Sequence, residues 1–287
     1  MIYDLRKDST DLVANLKDTR MGLPSGIEML DRELLGFSPG EFIIVAGRPS
    51  MGKSSLARNI ALSVGHPSVG GTVLFYSLEM NYTEVAELLL ANLAKVDYHA
   101  VKRGEITDGI ESRLDSASAQ LSTYSIIIDD NSYVTTDYIH RFLKKHNETV
   151  SCVIIDYIQL MNVAKRGNEN RQEQVTEISR GLLAIAKEFN VPVIALSQLN
   201  RNLEYRESTR PRLSDLRESG AMEQDANKVL LLHRPSYYNI KINQDAKDTG
   251  EAEIIIAKNR CGPVGSITCG WIAEFMSFET VPGTEEF

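Results

Sequence analysis

From Gly47 to Ser54 the chain reads GRPSMGKS, which satisfies the spacing G-x-x-x-x-G-K-[ST]. In that spacing Gly47 and Gly52 let the backbone turn tightly, so that successive N–H groups face inward. Such a nest of amides binds phosphate oxygens. Lys53 would reach β- and γ-phosphates, and the Ser54 hydroxyl would ligate Mg²⁺. With Arg48, Pro49, Ser50, Met51 and Ser55 between and beside them, residues 47–55 form a candidate binding segment for ATP or another nucleoside triphosphate.

A metal-bound triphosphate needs further groups. VIIDYIQLM ends an apolar run in Asp156, a carboxylate placed to support the metal and its waters. LFYSLEM supplies Glu79, a candidate base for an attacking water, although a solvated strand-end acid would look the same. ALSQLNR brings Gln198 to the end of another run, where an amide could sense a γ-phosphate or simply terminate a strand. Near the C-terminus, AKNRCGPVG holds Lys258 and Arg260 just where a strand should give way to a turn. On their own these two cations read as a solvated strand end.

Elements able to position these residues are visible in the apolar pattern. Short runs at 41–47, 72–79, 124–130, 152–158, 192–198, 228–234, 252–259 and 266–274 alternate with helical stretches at 53–64, 81–95, 135–147 and 171–190. Several runs are apolar on successive residues, as strands covered on both faces should be. The order predicts an α/β fold with a mainly parallel sheet flanked by helices and antiparallel strands near the C-terminus. In a parallel sheet ligands sit at the carboxyl ends of strands, so Lys53, Glu79 and Asp156 can converge.

Two segments break the pattern. Residues 162–171 are polar, and residues 200–220 carry five arginines with little apolar periodicity. Loops of that length inside a compact domain are usually functional or disordered. Ahead of the sheet, Leu5, Leu12, Val13 and Leu16 lie at helical spacing and predict a separate helix.

Bulk properties exclude several classes. No apolar run approaches the length of a membrane span, and the opening MIYDLRKDSTDLV lacks a signal-peptide pattern. Three cysteines without a C-x-x-C suggest neither a disulfide framework nor a zinc ribbon. A cytoplasmic location is the expectation. A net charge of −8 argues against a basic exterior but leaves room for a local positive groove that binds single-stranded nucleic acid.

Taken together, GLPSGIEMLDRELLGFSPGEFIIVAGRPSMGKSS, YSLEM, VIIDYIQLM, NRQEQVTEISRGLLAIAKEFNVPVIALSQLNR, RPRLSDLRESGAMEQDAN and AKNRCGPVG resemble the helicase domain of DnaB-type replicative DNA helicases, over about residues 18–275. The resemblance implies a RecA-like P-loop core assembled as a homo-hexameric ring, with ATP hydrolysed between subunits to drive translocation along single-stranded DNA and unwinding of forked duplex. It implies Lys53 and Ser54 on phosphate and Mg²⁺, Asp156 supporting the metal, Glu79 activating water and Gln198 coupling the γ-phosphate to a DNA loop. Lys258 and Arg260 match finger residues that reach the neighbour's γ-phosphate. The two irregular segments match DNA-contacting loops, with Lys165 and Arg166 in the first and Arg217, Glu218 and Gly220 in the second.

Two departures stand out. The resemblance implies a helical domain that family members commonly carry ahead of this one, used in ring assembly and primase binding, and no segment of these 287 residues is matched to it. Primase contact is therefore left open, a helicase loader stays among the implied partners, and residues 1–20 read as a linker-type helix before a domain spanning 21–287. The family also tends to place an arginine nine residues beyond the catalytic glutamate, where this chain has Leu88. A RecA-type recombinase and a slowly hydrolysing nucleotide-switched ring are the competing readings. SDLRESG speaks against the first, and Glu79 with Arg260 against the second.

Overall fold

The computed structural model describes residues 21–146, 149–163, 170–206, 208–242 and 248–280, with backbone alone at 217–219 and 239–242. The predicted helix over residues 1–20 lies outside the described residues.

The apolar runs become strands for the reason their composition suggests. In β1 (Phe42–Gly47) every residue is buried, and the same holds for β2 (Val73–Ser77) and β4 (Cys152–Asp156). Helices cover both faces of such strands, so alternation has no value there. Burying a side chain such as Ile43 or Ile44 contributes about 1.5–3 kcal/mol each, and both are 0% exposed. Among the described residues the sheet has nine strands in the order β3-β2-β4-β5-β1-β6-β7-β8-β9. The others are β3 (Ile126–Asp129), β5 (Val193–Gln198), β6 (Lys228–His233), β7 (Glu251–Asn259), β8 (Gly265–Ile272) and β9 (Ser277–Glu279). Pairings from β3 through β6 are parallel, and β6–β7, β7–β8 and β8–β9 are antiparallel. The expected mainly parallel sheet with C-terminal antiparallel strands is what forms. Of the nine strands, sequence patterning missed only β9, which is too short to show a period.

The helices are α1 (Glu28–Leu34), α2 (Lys53–Gly65), α3 (Tyr82–Ala94), α4 (Tyr98–Lys102), α5 (Asp108–Leu121), α6 (Thr136–His146), α7 (Arg171–Phe189), α8 (Gly220–Asp225) and α9 (Pro235–Ile242). Capping fixes where the site-bearing ones begin. Asn81 accepts from the Glu84 N–H while Glu84 accepts from the Asn81 N–H, so α3 starts just after Glu79. Asn170 and Glu173 form the same reciprocal pair at α7.

The expectation of an irregular loop over 200–220 needs correction. This stretch folds into two 3₁₀ turns, Arg201–Tyr205 and Leu213–Ser219, pinned by Leu203 and Leu216, which are 1% and 3% exposed. Arg206 pairs with Asp215 at 2.7 Å, and Arg210 grips Glu253 of β7 through two nitrogens. Short 3₁₀ turns have no apolar period to detect in a sequence.

Candidate active site

β1 delivers the chain at Gly47 to the carboxyl edge of the sheet, and α2 begins at Lys53. Between them Ser50 and Gly52 take positive φ values of 66° and 93°. Gly52 has two reasons to be glycine. Its backbone is left-handed, and a Cβ there would lie 2.7 Å from the Phe278 ring and 3.0 Å from Trp271. Outside the loop, Arg234 donates to the Ser50 carbonyl at 3.2 Å and stacks 4.5 Å over the ring of Trp271. The C-terminal antiparallel strands thus brace the phosphate loop from behind.

Pro49, Ser50, Gly52, Lys53, Ser54 and Ser55 line a cleft of about 660 Å³ together with Glu79 and Gln198. Met51 is buried beneath it. Arg48 contributes its backbone, since its carbonyl accepts from Lys53 Nζ at 3.3 Å. Its guanidinium turns away from the cleft to the Leu199 carbonyl at 2.7 Å and to Glu204 at 3.0 Å.

Burial lowers the Lys53 ammonium below its usual range, while Asp156 and Glu79 oppose that shift. The same proximity shows at Asp156, whose carboxyl is raised by burial and by Glu79 and held down by a hydrogen bond from Ser54 and by Arg58 and Lys53. Its Oδ1 is buried with no partner among the described residues. Glu79 stands exposed in the cleft at the turn after β2, a turn closed by the Ser77 hydroxyl on the Met80 carbonyl at 2.6 Å. Lys53, Ser54, Glu79, Asp156 and Gln198 are therefore brought to one edge by four parallel strands.

Gln198 does not stand alone. Gln159, three residues beyond Asp156, donates to the Ser197 hydroxyl and the Gln198 carbonyl and accepts from the Gln198 N–H. Arg171, the first residue of α7, donates to the Gln159 carbonyl. Sequence reading missed Gln159, although its place in VIIDYIQLM was visible. It also missed Arg58 and Arg234, which line the cleft; inside helical or strand-end stretches, arginines look like solvent-facing ones.

Lys258 and Arg260 lie elsewhere. β7 runs antiparallel, and the Arg260 N–H donates to the Asn227 carbonyl, whose residue donates in turn to the Phe42 carbonyl. Arg260 is thus level with the first residue of β1, whereas the phosphate loop leaves from the last. That separation is about 16 Å along the strand and two strand spacings of about 4.8 Å across it. Lys258 Nζ donates to the Glu223 and Gln224 carbonyls at 2.6 and 3.1 Å, and Arg260 to Gln224 at 3.3 Å, so both cap the carboxyl end of α8. Burial and Arg260 lower the Lys258 ammonium. The structure does not bring these two into their own chain's cleft.

Of the remaining predicted positions, Lys165 and Arg166 lie outside the described residues. The backbone at Arg217 and Glu218 is in the second 3₁₀ turn, and Gly220 opens α8 in an exposed position.

A sequence profile of the family described as DnaB-like helicase C terminal domain matches residues 22–280. Over 273 residues the chain is 39% identical to the replicative DNA helicase DnaB of Geobacillus stearothermophilus, covering 94% of this chain and 59% of that protein. It is 38% identical, with the same coverage, to the replicative DNA helicase DnaC of Bacillus subtilis (strain 168). The chain spans about three fifths of the length of these curated relatives. Among solved structures, the ATPase domain of G40P superposes with a TM-score of 0.89 at 33% identity, covering 98% of this chain and 100% of that one. A DnaB-like replicative helicase, studied with its interactions with primase, gives 0.89 at 34%, covering 97% of this chain and 68% of that one.

Proposed function

The chain belongs to the DnaB-like helicase C-terminal domain family, and from that membership we propose that residues 21–287 are the ATP-hydrolysing motor domain of a replicative DNA helicase, preceded by a linker-type helix. ATP occupies the cleft with its phosphates on the amides of residues 47–55 and on Lys53. Mg²⁺ fits the Ser54 hydroxyl and Asp156, because a buried carboxylate oxygen lacking a partner is a hard-cation ligand in waiting. When bound, the cation neutralises charge on the β- and γ-phosphate oxygens. Glu79 takes the proton of the water that attacks the γ-phosphorus as the bond to the β–γ bridging oxygen breaks, releasing ADP and phosphate. Gln198, tied to Gln159, passes the state of the γ-phosphate to the segment 200–220. That segment, with residues 162–171, grips single-stranded DNA through Lys165, Arg166, Arg217, Glu218 and Gly220. Translocation along that strand unwinds a fork.

One observation carries the ring. Lys258 and Arg260 sit at the edge of the sheet opposite the phosphate loop, so a γ-phosphate that they reach belongs to another copy. Six copies with shared sites follow the family pattern, with a helicase loader as a further partner. No helix among the described residues is long and apolar enough to cross a membrane; the cytoplasmic location we propose rests on the family reading.

The test mixes Glu79→Gln with Arg260→Ala and measures ATP hydrolysis on single-stranded DNA. Arg260→Ala alone falls at least a hundredfold, by analogy with cations supplied in trans, whose contribution is ~10³–10⁵, and Glu79→Gln alone falls about as far, since a general base contributes ~10²–10⁴. The mixture regains activity because an intact Glu79 meets an intact Arg260 at some interfaces. A mixture that stays dead at high protein concentration, or an Arg260→Ala variant as active as the parent, sinks the shared-site reading.

A further inference from the structure

Among the described residues four lysines and arginines are buried: Arg48, Arg58, Lys228 and Arg234. Three have a carboxylate partner. Arg48 pairs with Glu204, Lys228 with Glu41 and Arg234 with Asp248. Arg58 is 3% exposed and has none; its one hydrogen bond runs from Nη2 to the Ser55 hydroxyl at 3.0 Å. Asp156 and Tyr98 act on it only through space. A guanidinium carries five N–H donors, so most of its bonding capacity is unspent. Leaving a buried charge unpaired costs several kcal/mol in general, and a fold keeps such a group where an anion is to arrive.

The place it faces is already defined. Arg58 lies one helical turn beyond Ser55 on α2 and lines the same cleft as Lys53, Ser54 and Glu79. Leu88 of α3 lines it too, and is apolar and 4% exposed. No cation comes from that position of α3, and α2 supplies one instead. We propose that Arg58 is a phosphate-contacting residue of the nucleotide site, its guanidinium donating to the phosphate chain of the nucleotide bound by its own subunit. This rests on reading the cleft as a nucleotide site. Burial lowers the guanidinium to about 10, which leaves it charged at neutral pH.

A role in binding and a role in folding predict opposite outcomes. If Arg58 waits for phosphate, Arg58→Met fills its volume, removes an uncompensated charge, and leaves the Tm of the nucleotide-free chain equal or higher. The same change weakens a fluorescent ADP analogue about tenfold to a hundredfold, the loss expected for a charge-assisted contact. Adenosine, measured by competition, binds as before. The double variant Arg58→Met/Leu88→Arg recovers part of the ADP affinity by returning a guanidinium from α3. The decisive quantity is the ratio of ADP to adenosine affinity, read well below Tm. An unchanged ratio in Arg58→Met overturns the proposal whatever happens to Tm. Should that variant not fold, Arg58→Lys carries the test: a ratio lowered threefold or more supports the contact, and an unchanged one overturns it. Failure of the parent chain to bind ADP would instead refute the nucleotide site itself.

Discussion

Replacing Gly52 with alanine separates the two constraints that shape the phosphate loop. At φ 93° and ψ 21° a residue with a Cβ is strained, at a cost of about 1–2 kcal/mol. The added methyl also meets Phe278 Cζ and Cε2 at 2.7 and 2.8 Å and Trp271 Cζ3 at 3.0 Å. Neither ring can swing away freely, because Phe278 and Trp271 are 1% and 7% exposed and pack edge to face. Overpacking of this kind costs about 1–3 kcal/mol. The sum is roughly 2–5 kcal/mol, or a Tm roughly 5–15 °C lower for a domain of this size. Thermal unfolding of the parent, Gly52→Ala, Phe278→Leu and the double variant measures the two parts. The double variant should be more stable than the summed losses by about 1–3 kcal/mol, because the smaller residue makes room for the methyl, while the backbone cost persists. Nucleotide affinity should fall at least tenfold in Gly52→Ala and stay low in the double variant, since Lys53 and Ser54 follow the strained residue directly. A Gly52→Ala chain melting within about 2 °C of the parent, or losses that simply add, would show that the aromatic wall does not press on this loop.

Two further outcomes follow from the same cleft. Trp271 is the sole tryptophan and packs behind Gly52 against Arg234, so its intrinsic fluorescence should change on adding nucleotide to the parent and stay flat in Lys53→Ala; a flat parent signal at saturating nucleotide would contradict that packing. At Asp156 burial holds the folded-state carboxyl above its ordinary 3.8, so the folded chain binds this proton more tightly than the unfolded one. The ionised form therefore subtracts stability at neutral pH, and the deficit closes as pH falls through the folded pKa toward 3.8. Asp156→Asn should raise the nucleotide-free Tm at neutral pH, lose that gain in acid, and weaken Mg²⁺-dependent nucleotide binding; a lower Tm at neutral pH would reverse the sign and refute the desolvation account.

What could be read from the sequence follows from which residues bury themselves periodically. Strands such as Cys152–Asp156 are buried along their whole length, and that continuity is visible as VIID. α5 was invisible because Ala117 is its one buried residue, which leaves no apolar stripe to detect. The phosphate loop was legible because its chemistry demands fixed residue types at fixed spacing. Arg58 was not, since its meaning lies in what fails to pair with it, and pairing is a property of the folded chain. Lys258 and Arg260 could be located as a strand end, yet only the register of β6 against β7 places them at the far edge of the sheet.

That register bears on how one site speaks to another. Arg48 leaves the phosphate loop and ties it to Leu199 and Glu204, at the start of the segment 200–220. Lys258 and Arg260 hold the carbonyls of Glu223 and Gln224, at the end of the helix that the same segment leads into. Between these two attachments the Arg206–Asp215 ion pair and buried Leu203 and Leu216 tie the described parts of the segment together. If Lys258 and Arg260 are to meet a neighbour's phosphate, as proposed above, they must give up their bonds to those carbonyls, and a phosphate loop that shifts must pull on Leu199. Both events load the same short stretch of chain from opposite ends. A segment held this way is better suited to two discrete positions than to gradual drift, because packed elements are bistable and not continuously deformable.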